Sequence, residues 1–208
     1  MKAISIVNPK GGSGKSTLAT NLAGYLARRN AAVLLGDVDR QLSSKLWLSL
    51  RPPSLPTIAT WDIGPDNVAR PPKGVLCAVL DTPAGLSGSL LEKVVKASSR
   101  IIVPVQASPF DLWATQTFLD QVLEIKAVAK GKAEVALVGM RVAPRTLAAE
   151  RLTEFLALQG CQTITTLRPT QLYTRVAAAG ASIFDVNPAQ AQRELEDWAP
   201  LLRWVEAA

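Results

Sequence analysis

Apolar runs of strand length recur along the chain at Ala3–Val7, Val33–Val38, Val75–Leu80, Arg100–Val105 and Val135–Met140, with a weaker one at Gln162–Leu167. Within them Val, Ile and Leu follow one another almost without interruption instead of alternating with polar residues. A sheet covered by helices on both faces produces that pattern, because both sides of each strand are buried. Between the runs, apolar positions at helical spacing predict helices over Ser16–Arg29, Ser87–Ser98, Leu112–Val128, Leu147–Gln159, Gln171–Ala179 and Ala189–Val205, several opened by Ser, Thr, Asp or Pro. Gly160 and Gly180 read as helix stops. The stretch from Leu50 to Gly74 is rich in proline and lacks a clear period, so it is expected to hold a short strand around Thr57–Trp61 within surface loops. Strands and helices in turn predict an α/β fold, a doubly wound, mostly parallel sheet with helices on both faces. No repeat or linker divides the chain, and 208 residues are read as one domain, 1–208.

The first strand-to-helix junction carries the most specific chemistry: Lys10, Gly11, Gly12, Ser13, Gly14, Lys15, Ser16 and Thr17 in succession. Glycines at such a junction let the backbone curl so that its N–H groups point inward at phosphates, while the following helix offers its positive N-terminal end. In this phosphate-binding loop Lys15 is expected on the β- and γ-phosphates and Ser16 on Mg²⁺. The ordinary pattern has glycine where Pro9 stands, and this chain adds a second lysine, Lys10.

Two further strand ends supply carboxylates. The second strand closes in Gly36, Asp37, Val38, Asp39, Arg40 and Gln41, and ligands of open α/β sheets bind at the C-terminal edge of the strands. Two aspartates after a strand also suit the capping of a following helix, and both readings stand at this point. Val79 and Leu80 lead into Asp81, followed by Thr82, Pro83, Ala84 and Gly85; Asp81 fits a carboxylate that holds Mg²⁺ through water.

Lys10 with Gly-Gly-x-Gly-Lys-Ser resembles the deviant Walker A box of the ParA/MinD family of P-loop ATPases, which dimerise face to face around two ATP molecules. The resemblance implies that Lys10 reaches across to the partner's phosphates, that Lys10, Lys15 and Asp39 are the catalytic groups with Asp39 positioning the attacking water, and that Ser16, Asp37 and Asp81 serve the metal. Asp37 would support the metal shell or the Lys15 ammonium. Arg40 departs from the proline usual in the family's Asp-x-Asp-Pro-Gln segment. Thr82 to Gly85 would form a second switch sensing the γ-phosphate. Val103 to Leu112 resembles the family's Pro-x-Gln-Pro-Ser segment, and Arg141, Arg168 and Pro169 match the region near base and ribose. Ser44–Arg51, with Trp47, is similar to small single-domain partition ATPases.

Composition extends this picture. The chain has no histidine, so catalysis must run on carboxylates, lysines, backbone amides and metal, which suffices for phosphoryl transfer. Cys77 and Cys161 lie in apolar, strand-like segments and read as core thiols. No signal peptide or membrane span is read from the sequence, so a cytoplasmic location is expected. A net charge of +6 points to a polyanionic partner. Family members that position cargo coat the nucleoid as ATP dimers, and a ParB-like or cargo-adaptor protein stimulates their hydrolysis. The resemblance therefore implies a nucleoid-associated homodimer with sequence-indifferent DNA contacts, for which Lys126, Lys130, Lys132, Arg145, Arg151, Arg168 and Arg175 are the candidates. MinD-like members bind membrane through a basic amphipathic C-terminal helix. Here Trp198, Leu201, Leu202 and Val205 form the stripe, yet Glu194, Glu196, Asp197 and Glu206 surround it, which favours a helix packed on the sheet. A P-loop metabolite enzyme is the other alternative, whether of the dethiobiotin synthetase or the nitrogenase-reductase type.

Overall fold

The computed structural model describes residues 2–29, 31–64, 68, 71–72 and 75–207. In chain order its elements are β1 (Lys2–Ile6), α1 (Lys15–Arg28), β2 (Val33–Asp37), α2 (Ser43–Ser49), β3 (Ala59–Trp61), β4 (Cys77–Asp81), α3 (Gly88–Ala97), β5 (Arg100–Gln106), α4 (Pro109–Glu124), α5 (Lys126–Ala129), β6 (Glu134–Met140), α6 (Leu147–Ala157), β7 (Gln162–Leu167), α7 (Leu172–Ala178) and α8 (Pro188–Glu206). The seven strands form one sheet in the order β3-β2-β4-β1-β5-β6-β7. Every pairing is parallel. Every loop that follows a strand therefore opens on the same edge.

Period-two alternation divides the apolar runs between two cores. Ile4, Ile6, Val33, Leu35, Cys77, Val79 and Ile102 face α1, α2, α7 and α8. Val7, Ala78, Leu80, Ile101, Val103 and Val105 face α3, α4 and α6. Trp198, Leu201 and Val205 of α8 are completely buried and Leu202 is half-buried, so the terminal helix packs as expected. Trp204, off the main stripe, is held beneath the Arg100 guanidinium 4.3 Å from its ring centroid.

Some boundaries differ from the sequence reading. The expected helix Leu112–Val128 is two helices: α4 begins at Pro109 behind Ser108, whose Oγ accepts from Asp111 N, and it breaks at Ile125, whose extended ψ of 126° starts α5. Helix α2 shows no helical period in the sequence, since seven residues are too few for one, and only the capping reading of the aspartates before it points to a helix there. Cys77 is buried in β4, but Cys161 sits in the turn before β7, half-buried, with burial pushing its thiol up to about 11. The short strand lies at Ala59–Trp61, and residues 65–67, 69–70 and 73–74 of the expected proline-rich loop lie outside the described residues.

Candidate functional site

The central strand β1 feeds its end directly into the glycine loop, with β4 and β5 on either side. Gly12 and Gly14 have φ of 72° and 101°, in the left-handed region that favours glycine, and Gly14 is the residue before the first turn of α1. A Cβ on Gly14 would also come within 2.6 Å of Met140 Cε. Lys15 is buried, and its Nζ donates to Lys10 O at 2.9 Å, so the ammonium folds back across the loop. Burial lowers the Lys15 pKa, opposed by the charges of Asp81 and Asp39. The Lys10 ammonium has no hydrogen-bond or ion-pair partner among the described residues.

Neighbouring strands brace the loop. Asn8, buried, accepts from Lys10 N at 2.8 Å through Oδ1 and donates Nδ2 to Pro104 O at 2.7 Å. Gln106, at the end of β5, donates to Gly12 O at 2.6 Å. Gly85 of the segment after β4, with φ of 73°, donates its N–H to Pro9 O at 2.7 Å, so the expected second switch touches the loop. Asn8 escaped the sequence reading; its signal is a lone amide between an apolar strand and a glycine loop.

The carboxylates converge because strand register makes them neighbours: Asp37 pairs with Asp81 across β2 and β4, and Ile6 pairs with Asp81 across β1 and β4. Asp81 Oδ2 accepts from Ser44 Oγ at 2.7 Å, while Oδ1 is buried with no hydrogen-bond partner among the described residues. Burial raises the Asp81 carboxyl to about 6; the Ser16 and Ser44 hydroxyls and the Lys15 ammonium oppose the rise, and Asp37 adds to it. A buried carboxylate oxygen without a donor, beside the first hydroxyl of α1, fits a hydrated cation that would complete its shell there. Ser16 and Asp81 thus suit Mg²⁺.

Asp37 makes the contacts of the helix-capping reading. Its Oδ1 accepts from Asp39 N at 3.0 Å, and its Oδ2 accepts from Ser44 N at 2.8 Å and Lys45 N at 3.2 Å. The Ser44 and Lys45 amides are orphan donors at the start of α2, and the carboxylate caps them. Burial nonetheless raises its pKa, against the three amides. Asp39 is half-buried and accepts from Gln41 N at 3.0 Å, leaving its carboxylate at the rim beside Lys15.

A cavity of about 680 Å³ adjoins the loop at Gly14 and Thr17, walled by Arg141, Arg168, Pro169 and Tyr173. That volume suits a nucleoside-sized group. Arg168 is committed to Asp197, donating Nε to Oδ2 and Nη2 to Oδ1, both at 2.7 Å. It borders the cavity as half of an ion pair. The remaining basic candidates do not share a surface: Arg145, Arg151 and Arg175 are exposed on the segments that follow β6 and β7, whereas Lys126, Lys130 and Lys132 line a groove with Ala3, Ser98 and Ser99 at the edge where strands begin. Among the described residues no helix is long and apolar enough to cross a membrane, and no cluster of three or more Cys, Asp or Glu could hold a metal.

Over 193 residues the chain is 28% identical to the maintenance of carboxysome distribution protein A of Halothiobacillus neapolitanus, covering 88% of this chain and 87% of that protein. It is 30% identical over 159 residues to the chromosome-partitioning ATPase Soj of Thermus thermophilus, covering 61% of this chain and 64% of that one. Among solved structures, MinD of Aquifex aeolicus superposes with a TM-score of 0.77 at 14% identity, covering 100% of this chain and 98% of that one. A plasmid partition protein of Borrelia burgdorferi bound to AMPPNP superposes at 0.73 with 18% identity, covering 97% and 98%. Residues 4–168 match the model of the CobQ/CobB/MinD/ParA nucleotide-binding domain, and the phosphate loop, both carboxylate-bearing strand ends and the adjoining cavity all fall within or beside that span, so the chain belongs to this family.

Proposed function

We propose that the chain is a ParA-type positioning ATPase that pairs around ATP, binds DNA without sequence preference and is released when a ParB-like or cargo-adaptor protein stimulates hydrolysis. The observation that carries this reading is the Lys10 ammonium, without a partner among the described residues, at the mouth of a loop whose second lysine is already folded inward on Lys10 O. A free cation there suits the phosphates of a nucleotide held by a facing copy. Lys15 would bind the β- and γ-phosphates, the glycine-loop amides would hold the remaining oxygens, and Asp39 would orient the attacking water at the rim. Mg²⁺, held through Ser16 and by water through Asp81, would neutralise charge on the phosphates. Arg141, Pro169 and the Arg168–Asp197 pair would border the base and ribose. Nothing in such a site needs a strong base.

The curated relatives, named for carboxysome distribution and chromosome partitioning, support a cargo-positioning role. The burial of Trp198, Leu201 and Val205 weighs against the MinD-like membrane reading, because the apolar face such an anchor needs is already spent on the sheet. The test is ATP binding, light-scattering mass and phosphate release for wild type, Lys15→Ala and Asp39→Ala. Lys15→Ala should lose nucleotide binding and all that follows. Asp39→Ala should bind ATP and dimerise yet release no phosphate; a variant that remains monomeric with ATP refutes the role given to Asp39.

A further inference from the structure

Three of the large hydrophobic side chains that are exposed among the described residues, Leu42, Leu46 and Leu50, stand on one short helix. Leu46 N donates to Leu42 O at 2.9 Å and Leu50 N to Leu46 O at 3.3 Å, so the three align as one stripe down the outer face of α2. Helical spacing puts Lys45 on one flank of that stripe and Trp47 on the other. Beside Trp47 opens a cleft of about 230 Å³ between α1, α2 and α7, walled by Ser16, Thr17, Leu46, Trp47, Tyr173 and Ala177. It has room for one large apolar side chain. At the phosphate end of the stripe Leu42 N donates to Asp39 O at 3.0 Å, which makes Arg40 and Gln41 the exposed tip of a tight turn. Arg40 and Lys45 are exposed and have no ion-pair partner among the described residues. From Arg40 to Trp61 the chain carries no Asp or Glu.

Leucines in line, uncompensated cations at one end and along one flank, and an apolar cleft on the other flank fit a helix with an apolar stripe and acidic neighbours. A second copy of the chain fits this surface less well. An isologous contact would set Arg40 and Lys45 against their own like charges. Because β3 runs parallel to β2, the chain between them heads back from the phosphate edge, and the stripe from Leu42 to Leu50 runs about 12 Å away from the face on which two copies would pair. A bilayer fits less well too, since a helix of seven residues offers it little apolar face. We propose that the outer face of α2 and this cleft are the docking site for an acidic amphipathic helix of the protein that stimulates hydrolysis, with a large apolar side chain of that helix seated in the cleft. The inference rests on the proposed ATPase function and its stimulation by a partner. The docked helix braces α1 against α2, the two helices that supply the Ser16 and Ser44 hydroxyls to Asp81. It thereby acts on the metal side of the site.

The probes are a labelled helical peptide of about 20 residues with Leu and Phe on one face and Glu on the other, a counterpart with Lys in place of Glu, and phosphatidylglycerol vesicles. Fluorescence anisotropy with and without ATP, phosphate release and light-scattering mass are read for wild type, for Leu46→Glu and for Arg40→Ser combined with Lys45→Ser. Wild type should bind the Glu peptide about tenfold more tightly than the Lys peptide, more weakly as salt rises from about 50 to 200 mM, and should release phosphate faster in its presence. Leu46→Glu should lose the Glu peptide about tenfold while binding ATP and pairing with ATP as wild type does. Arg40→Ser with Lys45→Ser should bind the two peptides alike. A Lys peptide bound by wild type as tightly as the Glu peptide, or Glu-peptide binding unchanged in Leu46→Glu, overturns the docking site. Leu46→Glu that stays monomeric with ATP while wild type pairs gives the stripe to a second copy and overturns it as well. Capture of the vesicles, but not of the Glu peptide, through Arg40 and Lys45 does the same. Peptide binding through Leu46 that leaves phosphate release unchanged refutes the stimulating role, and the ATPase reading then stands. Wild type that neither binds nor hydrolyses ATP refutes that reading, and the stimulating role falls with it.

Discussion

Removing the Ser44 hydroxyl isolates what ties α2 to the phosphate edge. Ser44 is completely buried, and its Oγ gives Asp81 the hydrogen bond on Oδ2, Oδ1 having no geometric partner among the described residues. Ser44→Ala removes the donor on Oδ2 and leaves the Ser16 hydroxyl and the Lys15 ammonium to offset the burial of the carboxylate, while the Ser44 amide still reaches Asp37. A hydrogen bond to a charged group contributes about 1.5–3 kcal/mol, so Ser44→Ala should lower unfolding free energy by about 2 kcal/mol. At a urea m value of about 2 kcal/mol/M this moves the midpoint by about 1 M. The decisive assay is a double-mutant cycle in urea without nucleotide, using Ser44→Ala, Asp81→Asn and both together. In the Asp81→Asn background the same truncation removes a bond between neutral groups and should cost less than about 1 kcal/mol. A loss for Ser44→Ala below about 0.5 kcal/mol, or an equal loss in both backgrounds, refutes the reasoning.

Asp185→Asn should cost about 3–5 kcal/mol, because it leaves Arg51 buried without its counter-ion in a pair whose side chains are 1% and 4% exposed. Burial raises the Asp185 pKa, but hydrogen bonds from Arg51 and Ser182 outweigh it and the net shift is downward. The stability this lends is present above the unfolded value of about 4 and is lost as pH falls through the lower folded value, so urea melts between about pH 5 and 2 should decline less steeply in Asp185→Asn than in wild type; parallel declines refute it. Gly180→Ala should destabilise by more than about 2 kcal/mol in a thermal melt, since φ is +62° and the new Cβ would lie 2.3 Å from Leu50 C and 2.5 Å from Arg51 N, backbone atoms that cannot swing aside.

The parts of the site that the sequence shows are those written in contiguous residues. The glycine loop is eight neighbours after an apolar strand, and Asp81 is the last residue of another, so parallel register alone carries it to the loop. Of the two readings open for Asp37, the capping contacts to the Ser44 and Lys45 amides could not be located in advance, because those amides belong to a helix too short to announce itself by periodicity. The split of the basic residues was legible in principle. In an all-parallel sheet a residue just before a strand and a residue just after it stand on opposite edges; Lys132 precedes β6 and Arg145 follows it.

Helix α2 shows what a resemblance alone leaves unexplained. Ser44, Trp47 and Arg51 fall on one side at helical spacing, and each reaches a different element: Ser44 to Asp81, Trp47 Nε1 to Ala181 O at 3.0 Å, and Arg51 to Asp185. The helix is thereby a strut from the phosphate edge to the turn between α7 and α8, with Asp37 fixing its first amides. Gly180 is small because the far end of that strut presses on it. Leu42, Leu46 and Leu50 occupy the opposite side and stay 42%, 63% and 51% exposed, so the strut is held by its polar and aromatic face and by no apolar packing on the outer one. The strut is thereby tied to the Asp81 edge at one end by the Ser44 hydroxyl and to the α7–α8 turn at the other by Trp47 and Arg51.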